Sequence, residues 1–421
     1  MKIYKTLLVV ALVAVSGWLG FWVGEQRLKL SFTNWKPGAV LNQQPILTGK
    51  APNIDFSLFW TVWDTVNEKY VDKQDLDPKK MLDGAISGMV ASIGDPYTMY
   101  LPLVQNKATK EQLGGSFEGV GMELGYVNKQ LAVMSPVDGS PAQKAGVKAG
   151  DLILRIRDEA KKVDKLTVGM AADEAVNYIR GDKGSTVYIT FSREGVDKPF
   201  EIPLTRDTII VKTVTVKYLD IGGGKKVPLV SLTRFGDRTR DEWQTAVTDI
   251  LTQCGENFSG CRGVVLDLRN NPGGYLEMAV YVAGEFLDYG KLVVTQQSGD
   301  GTKIDNTVDR NGSLLKVPLS VLINGGSASA AEILSGALQD YKRATLVGVK
   351  SFGKGSVQSP IDLPDGSGLH VTVAKWLRPS GKWIDKIGIM PDVVVKPSDS
   401  ASASANWQDD PQLAKAVAVL K

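Results

Sequence analysis

The chain has 421 residues, and its 49 Lys and Arg against 46 Asp and Glu leave a formal net charge of only +3. That balance excludes the strongly basic field of a nucleic-acid binder, and the length exceeds what one hydrophobic core usually serves, so roughly two to four modules are expected. The one histidine, His370, leaves a His-Glu-x-x-His zinc site without its ligands and gives a Ser-His-Asp triad little to work with.

In chain order, Lys2 and Lys5 precede an unbroken apolar run of 17 residues, Leu7 to Val23. Such a run sits at the short edge of a bilayer-spanning helix and exceeds the usual core of a cleaved signal peptide, so residues 1–26 are expected to be an uncleaved signal anchor. The remainder is then extracytoplasmic in the cell envelope, with a secreted or periplasmic form after cleavage at Ala14-Val15-Ser16 as the alternative. Residues 27–52, rich in Asn, Gln and Pro, are expected to form a linker. Phe56, Phe59, Trp60, Trp63, Val66 and Tyr70 recur at helical spacing, and Met81, Ile86 and Met89 follow, which predicts a helical region over 53–104 broken at Gly94-Asp95-Pro96. The aromatic stripe reads as core packing, with a dimer contact as the alternative.

A strand-rich unit runs from about Gly114 to Thr205, within an expected module of 105–205, and includes Gly-Val-Gly-Met-Glu-Leu-Gly (119–125) and Gly-Asp-Leu-Ile-Leu-Arg-Ile (150–156). This segment resembles a PDZ module of the bacterial protease type. The resemblance implies that Gly119, Val120 and Gly121 hold the carboxylate of a substrate tail while the next strand adds the peptide to the sheet edge. Strands and helices alternate over 206–397, the α/β pattern. A low-complexity spacer and a short closing helix are expected over 398–421. Cys254 and Cys261, seven positions apart, suit either a local disulfide or two free thiols. His370, in the alternating run Gly-Leu-His-Val-Thr-Val, is expected to be structural.

Two places could carry hydrolysis without histidine. In Val-Leu-Ile-Asn-Gly-Gly-Ser-Ala-Ser-Ala-Ala-Glu-Ile (321–333), small residues turn a strand sharply into a helix, and a serine there meets N–H groups that can hold an oxyanion. In Phe-Gly-Lys-Gly-Ser-Val-Gln (352–358), a lysine stands between glycines and apolar residues, where desolvation can lower its pKa.

Together these segments resemble the signature of the carboxyl-terminal processing peptidases, the tail-specific proteases. In that family the nucleophilic serine precedes the base lysine by 25 positions, and here 354 minus 329 is 25. The resemblance implies Ser329 as nucleophile, Lys354 as general base and Gln358 as the residue that orients the amine. It also implies Ala330 and the glycine loop of Asp-Leu-Arg-Asn-Asn-Pro-Gly-Gly (267–274), through Gly273 or Gly274, as oxyanion donors. Residues 94–101, 179–184 and 388–393 are similar to other recurring segments of the family; Ala331, where many members carry a third serine, departs from it. The implied fold is multi-domain, α/β and β: a crotonase-like or ClpP-like Ser-Lys peptidase core with an N-terminal helical region and an inserted PDZ domain. Neither metal nor cofactor is expected. The implied partners are polypeptides with accessible C-termini and, through the anchor, a membrane, with no nucleic acid; a homo-oligomer is left open. Arg180 is the expected coupling residue between PDZ module and dyad.

Two rivals remain. Ser351-Phe352-Gly353-Lys354 also spells the Ser-x-x-Lys of penicillin-binding proteins, which must lie on a helix, and the flanking glycines oppose one. A non-catalytic PDZ adaptor would bind tails without cutting them, and the joint presence of serine, lysine, glutamine and glycine loop speaks against it.

Overall fold

The computed structural model describes residue 16 and residues 28–33, 36–41, 55–398 and 406–420. The chain divides into two compact units, Met1–Pro78 and Lys79–Lys421. In the first, β1 (Leu28–Thr33) and β2 (Lys36–Leu41) form an antiparallel ribbon and are followed by helix α1 (Ser57–Lys69). The segment expected to be a linker therefore contains paired strands. Leu28, Leu30 and Phe32 do alternate with the strand period of two, a pattern the Asn- and Pro-rich composition obscured. The aromatic stripe is likewise not core: α1 has no buried residue, and Phe59, Trp60 and Trp63 pack only edge-on or tilted against one another. A helical period marks one apolar face without saying what covers it. The apolar run 7–23 lies outside the described residues except for Ser16, as do 399–405 of the spacer. No helix among the described residues is long and apolar enough to cross a membrane.

Helix α2 (Pro78–Ala91) starts at the last residue of the first unit, and β3 (Met99–Leu101) and α3 (Leu103–Gly114) follow, the latter ended by Gly115 with a left-handed φ of 63°. The strand-rich module follows: β4 (Ser116–Gly119), β5 (Met122–Val127), β6 (Gln130–Pro136), the single helical turn α4 (Pro141–Lys144), β7 (Leu152–Asp158), β8 (Val163–Leu166), α5 (Ala172–Ile179), β9 (Thr186–Ser192) and β10 (Phe200–Thr205). Its sheet runs β10-β9-β7-β6-β5, with β8 beside β7, so β5 is an edge strand. Leu131, Ile153, Val187, Ile189 and Phe191 make its own core. The return strand β11 (Asp207–Ile210) pairs with β4 and closes the insertion.

The α/β core is built on a six-stranded sheet in the order β12 (Val214–Asp220), β13 (Lys226–Leu232), β14 (Val264–Asp267), β17 (Leu319–Ile323), β18 (Thr345–Gly348) and β21 (Val393–Val394). All neighbours are parallel except β12 and β13. Alternate strand residues point to opposite faces. Val230, Leu266 and Val321 meet α6 (Thr239–Cys254), α7 (Leu276–Ala283) and α8 (Ala330–Asp340) through Trp243, Ala279 and Leu334. Leu229, Val265 and Leu322 meet Leu413, Ala416 and Val417 of α9 (Pro411–Ala418) on the other face. Double-sided burial explains why β17 is buried at every position. A second sheet, β16 (Lys303–Thr307), β15 (Leu292–Ser298), β20 (Gly368–Leu377) and β19 (Ser356–Asp362), takes β3 onto β20. Cys254 at the end of α6 is disulfide-bonded to Cys261.

Candidate active site

Strand β17 feeds α8 through the turn 324–329, and Ser329 stands at the helix N-cap with φ 53° and ψ −116°. A non-glycine residue held there stores backbone strain of the kind that gathers at functional sites. Ser327 is spent on structure: its buried hydroxyl donates to the Leu268 carbonyl at 2.8 Å and accepts the Asn324 N–H at 2.9 Å. Ser329 instead borders a cavity of about 700 Å³, which Ala330, Gly274, Lys354, Gln358 and His370 also line.

Lys354 lies in the loop between β18 and β19. The loop is tightly fitted, since a Cβ on Gly353 would stand 2.9 Å from the Gly388 nitrogen and one on Gly355 2.5 Å from the Trp383 indole nitrogen. Burial pulls the Lys354 amine below the ordinary lysine pKa, while the carboxylates of Asp95 and Glu332 push it back up. Its Nζ lies 5.0 Å from the centre of the Tyr97 ring, close enough for the ring face to attract an ammonium. His370 shares the cavity wall, and its pKa is lowered by burial and by the charge of Lys354.

Glu332, whose place in the motif 321–333 suggests no role of its own, joins the two catalytic candidates. Its fully buried carboxylate accepts four hydrogen bonds: from the Ser329 N–H at 2.9 Å, the Lys354 N–H at 3.0 Å, the Gly353 N–H at 2.7 Å and the Ser351 hydroxyl at 2.6 Å. Burial raises the Glu332 pKa against the pull of these donors. Ser351 is 2% exposed, and its hydroxyl also accepts the Ile389 N–H at 2.7 Å. With the segment before β19 not helical, the Ser-x-x-Lys alternative loses both its nucleophile and its helix.

Gln358 donates through Nε2 to Ser356 Oγ at 2.8 Å and to Thr372 Oγ1 at 3.1 Å, so its carbonyl oxygen is the end of the amide able to accept from an amine. The glycine loop divides its duties. Gly273 donates its N–H to the Asn271 side chain at 2.8 Å. Its Cα is pressed so near Ser329 that a Cβ would lie 2.8 Å from Ser329 Cβ and 3.0 Å from the Ala330 nitrogen. The Gly274 and Ala330 N–H groups have no acceptor among the described residues, and both residues line the cavity. Of the two glycines, Gly274 is thus the one with a donor to spare. Phe235 holds the loop, donating to the Gly273 carbonyl at 2.9 Å and accepting from the Tyr275 N–H at 2.8 Å.

In the inserted module, Gly119, Val120, Gly121, Met122 and Leu124 face Val176 and Ile179 of α5 across a small groove of about 80 Å³. The groove runs along the unpaired edge of β5. Arg180 lines it, stacks 4.4 Å from the Phe117 ring centre and pairs with Glu111 of α3 at 2.8 Å.

Three family models match this chain: peptidase family S41 over residues 226–395, the N-terminal domain of the activating protease CtpB over 23–103, and a PDZ domain over 113–204. A carboxy-terminal-processing protease of Bartonella bacilliformis is 38% identical over 362 residues, covering 85% of this chain and 79% of that protein. The carboxy-terminal processing protease CtpA of Bacillus subtilis is 36% identical over 363 residues, covering 86% and 73%. A solved structure named a putative S41 protease, from Bacteroides fragilis, shares the fold with a TM-score of 0.55 at 18% identity, over 88% of this chain and 98% of that one. With relatives of that identity matched over most of their length, the chain belongs to peptidase family S41 and is a carboxy-terminal processing serine protease with an inserted PDZ domain.

Proposed function

We propose that this protease cleaves exported or misfolded polypeptides near their C-termini with a Ser329–Lys354 dyad oriented by Gln358. The observation that carries the reading is one cavity bordered by a serine at a strained helix N-terminus and by a partly buried lysine whose pKa is lowered. The neutral Lys354 amine takes the Ser329 proton as Oγ attacks the scissile carbonyl. The oxyanion is held by the N–H groups of Ala330 and Gly274, and Lys354 then hands its proton to the leaving amine. Water, deprotonated by the same amine, releases the acyl group.

The substrate tail is recognised by β-addition along β5, with its carboxylate at Gly119, Val120 and Gly121. Arg180, between that groove and Glu111, carries the occupancy signal toward the α3 side of the cavity, to which Asn106, Thr109 and Leu113 contribute. The catalytic part works outside the cytoplasm, held to the membrane by the apolar run 7–23; a Cys254–Cys261 disulfide suits an oxidising compartment. Digestion of an unfolded protein by the wild type, with loss of cleavage in both Ser329→Ala and Lys354→Ala, is the expected result. Intact cleavage in either variant would remove the dyad, and tail binding without any cleavage by the wild type would favour an adaptor.

A further inference from the structure

The segment Gly-Asp-Pro-Tyr-Thr (94–98) comes from far upstream in the chain, yet it is fastened beside the catalytic cavity by β3, whose Met99 and Tyr100 pair with His370 and Leu369 of β20. Asp95 accepts the Tyr97 N–H at 3.1 Å and the Thr98 hydroxyl at 2.7 Å, and Thr98 Oγ1 accepts the Thr372 N–H at 3.0 Å. Having given its one proton to Asp95, Thr98 Oγ1 can only accept, and what it accepts is the Thr372 N–H. Thr372 Oγ1 in turn accepts from Gln358 Nε2 at 3.1 Å. Asp95 and Thr98 thus fix the part of β20 that carries an acceptor for the Gln358 amide. Ser356 Oγ takes the other amide hydrogen at 2.8 Å, and the oxygen is left for the lysine amine.

We propose that Asp95 is a positioning residue of the catalytic centre, acting through Thr98 and Thr372 to hold Gln358 with its oxygen toward Lys354 and acting on Lys354 through its charge. The inference rests on the reading of Lys354 as general base. The groups around that amine are the carboxylates of Asp95 and Glu332, the Tyr97 ring and His370. Asp95 is held below the ordinary aspartate pKa by its donors against the cost of burial, so it is ionised where the enzyme works. Its negative charge favours the ammonium, and neutralising it lowers the Lys354 pKa. The acid limb of kcat/KM, which reports the base losing its proton, then moves to lower pH.

The test uses the full chain on an unfolded protein substrate, with steady-state kinetics across pH for Thr372→Val, Thr372→Ser, Gln358→Ala, the Thr372→Val/Gln358→Ala double variant and Asp95→Asn. Thr372→Val is expected to lower kcat about tenfold, as for one lost buried hydrogen bond, with little change in KM and no shift of the acid limb. Thr372→Ser, which keeps the hydroxyl, is expected to retain activity. The double variant should be no slower than Gln358→Ala alone, because both break one chain of bonds. Asp95→Asn should lower kcat and also move the acid limb to lower pH. Equal activity of Thr372→Val and Thr372→Ser, multiplying losses in the double variant, or an unmoved acid limb in Asp95→Asn would each overturn the proposal. Should Thr372→Val fail to fold, the acid limb of Asp95→Asn decides alone. An active Lys354→Ala would instead remove the reading on which it rests, whereas an inactive Lys354→Ala beside a wild-type Thr372→Val removes only the role of Asp95.

Discussion

Replacing Glu332 by glutamine should damage both stability and catalysis, because one carboxylate accepts from the backbone N–H groups of both Ser329 and Lys354. Each oxygen accepts two hydrogen bonds: Oε1 from Ser351 and Gly353, Oε2 from Ser329 and Lys354. With its NH2 toward Ser329 and Lys354, the amide faces two N–H donors; turned the other way it faces the Gly353 N–H and the Ser351 hydroxyl, which can rotate to accept. At least one buried donor is then left unsatisfied, at a cost of about 1–3 kcal/mol. At about 2–4 °C per kcal/mol for a domain of this size, the melting temperature should fall by at least about 2 °C. If the loop holding Lys354 relaxes by an ångström, kcat should fall about a hundredfold, with KM little changed. Because the Glu332 charge raises the Lys354 pKa, its removal should also carry the acid limb of kcat/KM to lower pH. Calorimetry and pH-resolved kinetics on purified Glu332→Gln measure all three. A variant with wild-type melting temperature and wild-type kcat would refute the bridging role.

Gly274→Ala should abolish activity, since a Cβ there would lie 1.9 Å from the Phe235 carbonyl oxygen at a φ of 136° and displace the N–H proposed as an oxyanion donor, a kind of contact worth about 2.7–4 kcal/mol; wild-type cleavage rates would contradict this. Ser351→Ala should lose about 1–3 kcal/mol of stability in denaturant titration but keep the enzyme acylatable, whereas a Ser351 nucleophile would leave it dead. Arg180→Ala should lower the stimulation of cleavage by a tail peptide while leaving peptide affinity, read by calorimetry, within a few-fold. Reduction of Cys254–Cys261, which are 7 residues apart, should cost about 2–3 kcal/mol by loop entropy, seen as a lower melting temperature in reductant.

The small residues around Ser329 and the glycines around Lys354 were legible because a strand-to-helix turn and closely packed backbones leave a local signature; their 25-residue spacing was legible only through the resemblance to the carboxyl-terminal processing peptidases. The positions of Glu332, Asn271 and Thr372 were not, since their importance lies in which N–H or hydroxyl each faces, and facing is set by the tertiary fold. The choice between Gly273 and Gly274 turned on one hydrogen bond to Asn271 that no pattern announces. His370 read as a strand residue and is one, but the sheet carries it to the cavity wall. The aromatic stripe of α1 shows the opposite failure: its period was read correctly and its burial was not, because periodicity says nothing of the covering partner.

The most direct test is the pH dependence of covalent modification of Ser329 by a fluorophosphonate, followed by peptide mass mapping in the wild type and in Lys354→Ala. The expected result is an adduct on Ser329 alone, formed faster as pH rises through a pKa below that of an ordinary lysine, and formed only at a trace rate in Lys354→Ala. Equal labelling of the two proteins at every pH, or an adduct on Ser351, would contradict activation of Ser329 by Lys354.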